Sequence, residues 1–322
     1  ESLVILLCVI VCSLAVVYRI DIVFSGRCDV CVCVVFFLKA EDGIRDLVRS
    51  RGLGDVYKRQ VMDLDRSHGS VIYDSLHGVE VLDLFSHFAT VPIGYNHPKL
   101  KEPSFLEELH RAALTKPANS DIYTQEMARF VETFARVAVP ASHAAHMFFV
   151  EGGSVGVENA LKTAFDWKVR KNFRKGYRRE VGHQIIHFEQ AFHGRTGYTR
   201  SLTTTADPRK TMYFPKFPWP RIVNPKLRFP VDGAEIERVK KVEELALAQV
   251  KQALVQNRDD VAALIIEPIQ AEGGDNHFRP EFLAALRQLC DENEMLLIFD
   301  EVQTGIGPVS YTHLTLPTSD LV

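Results

Sequence analysis

Three strand-length apolar runs constrain the fold more than any other feature of the chain: residues 183–188 (HQIIHF), Val261–Ile266 (VAALII) and 295–299 (MLLIF). Helix-like spacing separates them. Leu161, Ala164, Phe165 and Lys168 follow it within 157–175, a charged amphipathic stretch covers 235–256, and 280–293 opens with Pro280 at the first turn, where proline is tolerated. Strand–helix–strand alternation predicts a mostly parallel sheet covered on both faces by helices, with right-handed crossovers.

Around this centre the pattern is less regular. Residues 61–98 hold short alternating stretches (71–73 and 79–85) divided by glycine and polar turns, which predicts a strand meander. From Tyr123 the period becomes helical through Met127, Phe130, Val131, Phe134 and Val137. Residues 146–150 (HMFFV) read as a short buried strand, 151–156 as a glycine-rich turn, and 204–230 as a long ordered loop. The basic run 170–179 falls at a predicted helix C-terminus, where cations suit the dipole, so it reads as a solvated helix end and not as a nucleic-acid surface. A hydrophobic content of 46%, a charged content of 25% and a net charge of −3 exclude a disordered tail, a collagen and a basic nucleic-acid-binding domain.

The two ends look foreign to the rest. Residues 55–60 (DVYKRQ) and 309–314 (VSYTHL) can be encoded by opposite strands of one DNA element resembling a sequencing-adapter end, and 40–46 and 50–54 resemble further adapter. Residues 1–60 and 308–322 are therefore expected to be translated adapter. They flank a small N-terminal segment, 61–100, and a large domain, 101–307. Five of the six cysteines (Cys8, Cys12, Cys28, Cys31 and Cys33) lie in the first of these ends, and only Cys290 lies beyond, as in a reduced cytoplasmic enzyme. The apolar stretch 3–17 is shorter than the roughly 20 residues of a membrane span, so no membrane partner is expected. No Cys/His set completes a metal site.

In parallel sheets ligands gather at the carboxyl ends of strands. After 146–150 come Gly152, Gly153 and Ser154 at a helix start, which reads as a phosphate cradle or as a tight structural turn. After 183–188 come Ala191, Phe192, His193, Gly194 and Arg195, able to stack on a planar ring and to hold a carboxylate. Glu267 closes the second run and Asp300 the third, and a carboxylate ending a buried strand needs a cation or a strong donor. A protonated pyridine nitrogen would answer that need at Asp300. A Glu267–Asp300 acid–base pair, suited to a carboxylate/His metal-dependent hydrolase, is the rival.

The ordered set Gly152-Gly153-Ser154, Ala191-Phe192-His193-Gly194-Arg195, Glu267-Pro268-Ile269-Gln270 and Asp300-Glu301-Val302-Gln303-Thr304-Gly305 resembles the class III aminotransferases, fold type I enzymes that use pyridoxal 5′-phosphate (PLP). Residues 117–123, 214–221 and 275–282 further resemble the lysine 6-transaminase branch of that family. The resemblance implies a fold type I α/β sheet, incomplete here, with 101–307 as the PLP-binding domain. It implies that Gly153 and Ser154 hold the cofactor phosphate, and that Phe192 covers the ring with His193 beside it. Asp300 would pair with the pyridinium nitrogen, and Val302 and Gln303 would line the ring. Arg195 would clamp a substrate carboxylate, while Glu272 would sit where a second carboxylate is admitted or excluded. The implied partners are L-lysine and 2-oxoglutarate, in a homodimer. Ornithine, acetylornithine and 4-aminobutyrate are the alternative substrates, and a membrane-anchored binding protein follows only if 1–60 are genuine. The family's Schiff-base lysine has no counterpart, because no Lys follows Lys251, and the chain is expected to be inactive in transamination.

Overall fold

The computed structural model describes residues 4–7, 60–84, 86–89, 91–114, 121–140, 143–205, 208 and 211–305. The N-terminal cysteines, most of the adapter-like ends and residues 117–120 lie outside them. The first described element, β1 (Val4–Leu7), falls within the stretch expected to be adapter, yet it pairs in parallel with residues 297–300. The contacts divide the described chain into two compact units.

The smaller unit includes the expected meander. β2 (Met62–His68), β3 (Val71–Asp74) and β4 (Val79–Leu82) form an antiparallel sheet in that order. Gly69 (φ +52°) lies at the first turn and Gly78 (φ +68°) at the second, both in the left-handed region that favours glycine. Asp74 anchors one edge by accepting the N–H groups of Val61 and Leu76, each at 3.0 Å. Those bonds and the neighbouring His77 lower its carboxyl to about 2.

Helix α1 (Pro103–Ala113) was not foreseen and buries none of its residues. α2 (Gln125–Val137) starts at Thr124, whose hydroxyl accepts the Met127 N–H at 3.1 Å. Residues 146–150 are not the buried strand expected from their apolar character. No described strand pairs with them, Phe148 is 75% exposed, and Phe149 packs edge-on against Phe130 and Phe134 of α2 instead. An apolar run alone cannot make a strand without a neighbour to take its backbone groups.

The larger unit is built on a five-stranded parallel sheet in which β1 is followed in order by strands at residues 296–300, 261–266, 184–188 and 221–222. Its elements follow α3 (Gly153–Arg174) in sequence: β5 (Gln184–Phe188), α4 (Thr199–Leu202), β6 (Arg221–Ile222), α5 (Gly233–Gln256), β7 (Val261–Ile266), the short pair β8 (Ile269–Gln270) and β9 (Asn276–His277), α6 (Pro280–Glu292) and β10 (Leu296–Asp300). The two-residue β6 interrupts what the sequence suggested was only loop. The alternation of strand side chains sorts the core onto two faces. Ile186, Phe188, Leu264, Ile266, Leu297 and Phe299 pack with residues of α5 and α6. Ile185, Ala263, Ile265, Leu296 and Ile298 pack with Val157, Ala160, Leu161 and Ala164 of α3.

The leading ends of the strands are tied together by polar side chains. Lys168, which fits the apolar spacing of α3, is buried, and its Nζ donates to the Glu294 carbonyl at 2.7 Å just before β10. Asn172 Nδ2 donates to the carbonyls of Val181 and Asp259 at 2.7 and 2.8 Å, before β5 and β7. The basic run beyond Lys168 ends the helix as expected, with Lys175 paired to Glu294 and Asp259. Among the described residues no helix is long and apolar enough to cross a membrane.

Candidate active site

The trailing ends of β5, β7 and β10 carry the chemistry. Phe299 pairs with Ile266 in register, so Asp300 and Glu267, one residue further on, leave neighbouring strands side by side and on the same face. The alternation that sends Phe299 and Ile266 toward α5 and α6 sends both carboxylates toward the α3 side. Both are nearly inaccessible, at 4% exposure each.

Asp300 is bonded to His193, with Nδ1 of the imidazole 2.7 Å from Oδ2 of the carboxylate and both side chains buried. A carboxylate only accepts, so the imidazole carries its proton on Nδ1 and donates it. The second oxygen of Asp300 accepts the Val302 N–H at 3.1 Å. His193 itself is fixed through its backbone: its N–H donates to Thr203 Oγ1 at 2.9 Å, and that hydroxyl donates to the Gly194 carbonyl at 2.7 Å. Nε2 of His193 is buried with no hydrogen-bond partner.

Glu267 meets a different set of donors. Its Oε1 accepts the Phe192 N–H at 2.8 Å, and the Ala271 N–H is a second donor. Burial, followed by the charges of Asp300 and Glu272, pushes its carboxyl well above the usual range. Glu301, also buried, is pushed up to about 7 by burial and then by Asp300. Glu272 stands on the turn after β8, where Gly273 lies so close to the Gln190 carbonyl that a Cβ would overlap it.

α3 brings the glycine-rich turn to this cluster. Gly152 adopts φ +89° at the N-cap and supplies no side-chain cap, so the first-turn N–H groups are left for another acceptor. A Cβ on Gly153 would stand 2.6 Å from Val302 Cγ1, so the helix start lies directly against the segment after Asp300. Ser154 Oγ lies 2.7 Å from Thr196 Oγ1 and 2.9 Å from Thr199 Oγ1, and Thr196 donates onward to Glu158 at 2.5 Å. Gly194 (φ +112°) approaches Ser154 so closely that any side chain would collide with its hydroxyl.

Gly153, Ser154, His193, Asp300 and Val302 are thus brought together, and Phe192 is tied in through Glu267. Gln303 is half-buried beyond Val302, and Glu272 is near enough to influence Glu267. Arg195 is exposed, and its carbonyl accepts from Arg200 Nη2 at 2.8 Å. Sequence reasoning missed the hydroxyl cluster of Thr196 and Thr199 with Ser154 and Glu158, because nothing local marks a threonine whose partner lies some forty residues away. It also missed Thr203, which grips the backbone of His193 and Gly194. Among the described residues no group of three His, Cys, Asp or Glu side chains has the placement to hold a metal ion.

The residues present fit a pyridoxal phosphate. The uncapped start of α3 suits a phosphate, and Asp300, oriented by His193 at a strand end, suits a ring N–H. The parallel sheet with its strand-end cluster has the fold of the type I PLP-dependent transferases. A lysine aminotransferase from M. tuberculosis, solved in the internal aldimine form, is similar at a TM-score of 0.73 and 47% identity, covering 85% of this chain and 63% of that one.

The class-III aminotransferase family model matches residues 54–312, and the chain belongs to that family. It is 52% identical over 252 residues to a protein of Mycobacterium bovis named L-lysine-epsilon aminotransferase, a match covering 77% of this chain and 54% of the relative. A 4-aminobutyrate aminotransferase of Schizosaccharomyces pombe is 33% identical over 261 residues, covering 76% of this chain and 54% of the relative. The chain spans about half the length of the curated relatives it matches.

Proposed function

We propose that this chain is the cofactor-recognition part of a lysine ε-aminotransferase. The intact enzyme moves the ε-amino group of L-lysine to 2-oxoglutarate, giving 2-aminoadipate 6-semialdehyde and L-glutamate, as a cytoplasmic homodimer. Residues 61–100 are the small-domain segment and 101–307 the incomplete PLP-binding domain, with 1–60 and 308–322 lying outside the enzyme proper. The carrying observation is the buried His193–Asp300 bond beside the uncapped start of α3. The higher identity to the lysine-directed relative than to the 4-aminobutyrate enzyme supports the substrate.

Pyridoxal phosphate supplies an electron-accepting ring when bound. The protein's part is to hold it and to keep its ring nitrogen protonated. The first-turn N–H groups of α3, at Gly153 and Ser154, receive the phosphate. Asp300 accepts from the ring N–H, a charge-assisted bond of roughly 1.5–3 kcal/mol. His193 donates to Asp300 and keeps its carboxylate turned toward that nitrogen. Phe192 covers the ring, while Val302 and Gln303 line it. Arg195 takes a substrate carboxylate common to lysine and glutamate, and Glu272 governs entry of the second carboxylate that only glutamate and 2-oxoglutarate bring.

Pyridoxamine 5′-phosphate tests the reading directly, since it has the ring and the phosphate but no aldehyde to react with surface lysines. Titration followed by tryptophan fluorescence should show saturable binding, clearly weakened in D300A. Equal binding by wild type and D300A would sink the assignment. On an enzyme extended with the remainder of a relative's chain, a donor panel of lysine, ornithine, acetylornithine and 4-aminobutyrate decides the substrate.

A further inference from the structure

Glu267 is a buried carboxylate at the end of β7 that the proposed chemistry leaves without a task, and unlike Glu301 it has a bond to the loop carrying Phe192 and His193. It stands beside Asp300 at 4% exposure, with Glu272 also near. Among the described residues no cation is bonded to it; its identified donors are the backbone N–H groups of Phe192 and Ala271. Those two residues begin the loops that carry Phe192–Arg195 and Glu272. A single side chain at the end of β7 therefore fastens both loops.

We propose that Glu267 is a positioning residue: by accepting the Phe192 N–H it holds Phe192 and His193 at the ring site next to Asp300. The inference rests on the cofactor reading above. It separates Glu267 from the acid–base role that its pairing with Asp300 first suggested. The bond is needed from both ends. Without it the Phe192 N–H loses its acceptor, and without such donors the buried Glu267 oxygens have nothing to offset their lost hydration. Phe192 and His193 are consecutive, so a shift of the first backbone amide displaces the second. The Thr203 hydroxyl holds the His193 N–H on the far side, so two adjacent amides are gripped by side chains from different segments. The neighbouring charged groups do not supply an alternative anchor: Asp300 is committed to His193 and Val302, and Glu272 lies on one of the fastened loops.

The test compares E267Q, which keeps an oxygen able to accept the Phe192 N–H, with E267L, which keeps the volume and removes the acceptor. Two quantities are read on the full chain. One is hydrogen exchange of the amides of residues 191–193 without cofactor. The other is affinity for pyridoxamine 5′-phosphate. E267L should exchange about tenfold faster at Phe192 and bind about tenfold more weakly, while E267Q stays within about threefold of wild type in both. Unchanged exchange in E267L, unchanged affinity in E267L, or equal losses in both variants would each overturn the role. If wild type does not bind the probe while its Phe192 amide is protected, the cofactor reading fails and the role falls with it, although the bond stands. Should E267L not fold, the wild-type chain still decides. A scalar coupling across the hydrogen bond, from the Phe192 amide nitrogen to the Glu267 carboxyl carbon, must be present, and its absence rejects the inference.

Discussion

His193 and Asp300 meet at 2.7 Å in the interior although 107 residues separate them in the chain. Among the described residues neither side chain has a further side-chain hydrogen-bond partner. The pair therefore acts as one unit, in which the imidazole fixes where the carboxylate points. What remains unsatisfied is Nε2 of the histidine, which is buried.

From this pair the first prediction follows. D300A should weaken pyridoxamine 5′-phosphate binding by roughly 10- to 150-fold, the equivalent of one charge-assisted bond. H193F should weaken it less, because the carboxylate remains but is no longer oriented. Fluorescence titration of the three proteins measures both effects, and the reverse order would contradict the division of labour.

A second prediction concerns space. A methyl group on Gly153 would press on Val302 Cγ1 at 2.6 Å. G153A should cost about 1–3 kcal/mol of stability, the usual penalty for overpacking. V302A supplies the missing room, so the double variant G153A/V302A should recover most of that loss. Urea melts around the full double-mutant cycle measure the coupling, and strict additivity would show that the two residues do not touch.

Acid sensitivity gives the third. His187 is buried in β5 with its Nδ1–H donated to the Leu202 carbonyl at 3.1 Å, and burial lowers its pKa from 6.5 to about 3. Because the folded value is depressed, the unfolded chain binds more protons between those limits. Stability from this group is whole above pH 6.5 and drains away as pH falls toward 3, by on the order of 3–5 kcal/mol. H187N keeps an N–H donor but cannot titrate, so the wild type should lose stability faster than the variant over that window. Parallel pH profiles of unfolding would refute the assignment.

The fourth prediction addresses chemistry. No Lys follows Lys251 in this chain. Borohydride reduction with pyridoxal phosphate should leave no stoichiometric adduct at the described site, and transamination should be undetectable. Peptide mapping by mass spectrometry checks the first, and a stoichiometric adduct within residues 152–195 or 267–305 would defeat the prediction.

Much of this was legible beforehand because the signals were local. Val261–Ile266 ran over the predicted residues, and β5 and β10 shifted by one residue or less at either end, since an apolar run of strand length between helical stretches has few alternatives. Asp300 and Glu267 stood out because acidic groups directly after such runs must find partners. The partners themselves were not readable. Nothing near Glu267 in sequence names the Phe192 amide, and nothing near Ser154 names Thr196 or Thr199. Residues 146–150 show the opposite error: their composition promised a strand, but strand formation depends on a neighbour elsewhere in the chain. α1 carries a short apolar stripe at helical spacing (Phe105, Leu106, Leu109 and Ala113) that the sequence analysis passed over, and the fold leaves it unburied.

In the sheet, β5, β7 and β10 lie next to one another in the same order as they occur along the chain. Each can therefore add to an edge already made, as the polypeptide lengthens, without displacing an earlier neighbour. Asp300 arrives with the last of the three. A nascent chain that has finished β5 and β7 already carries Phe192, His193 and Glu267, yet it lacks the carboxylate that His193 awaits. The pair on which the proposed site depends is thus complete only once β10 has joined the sheet.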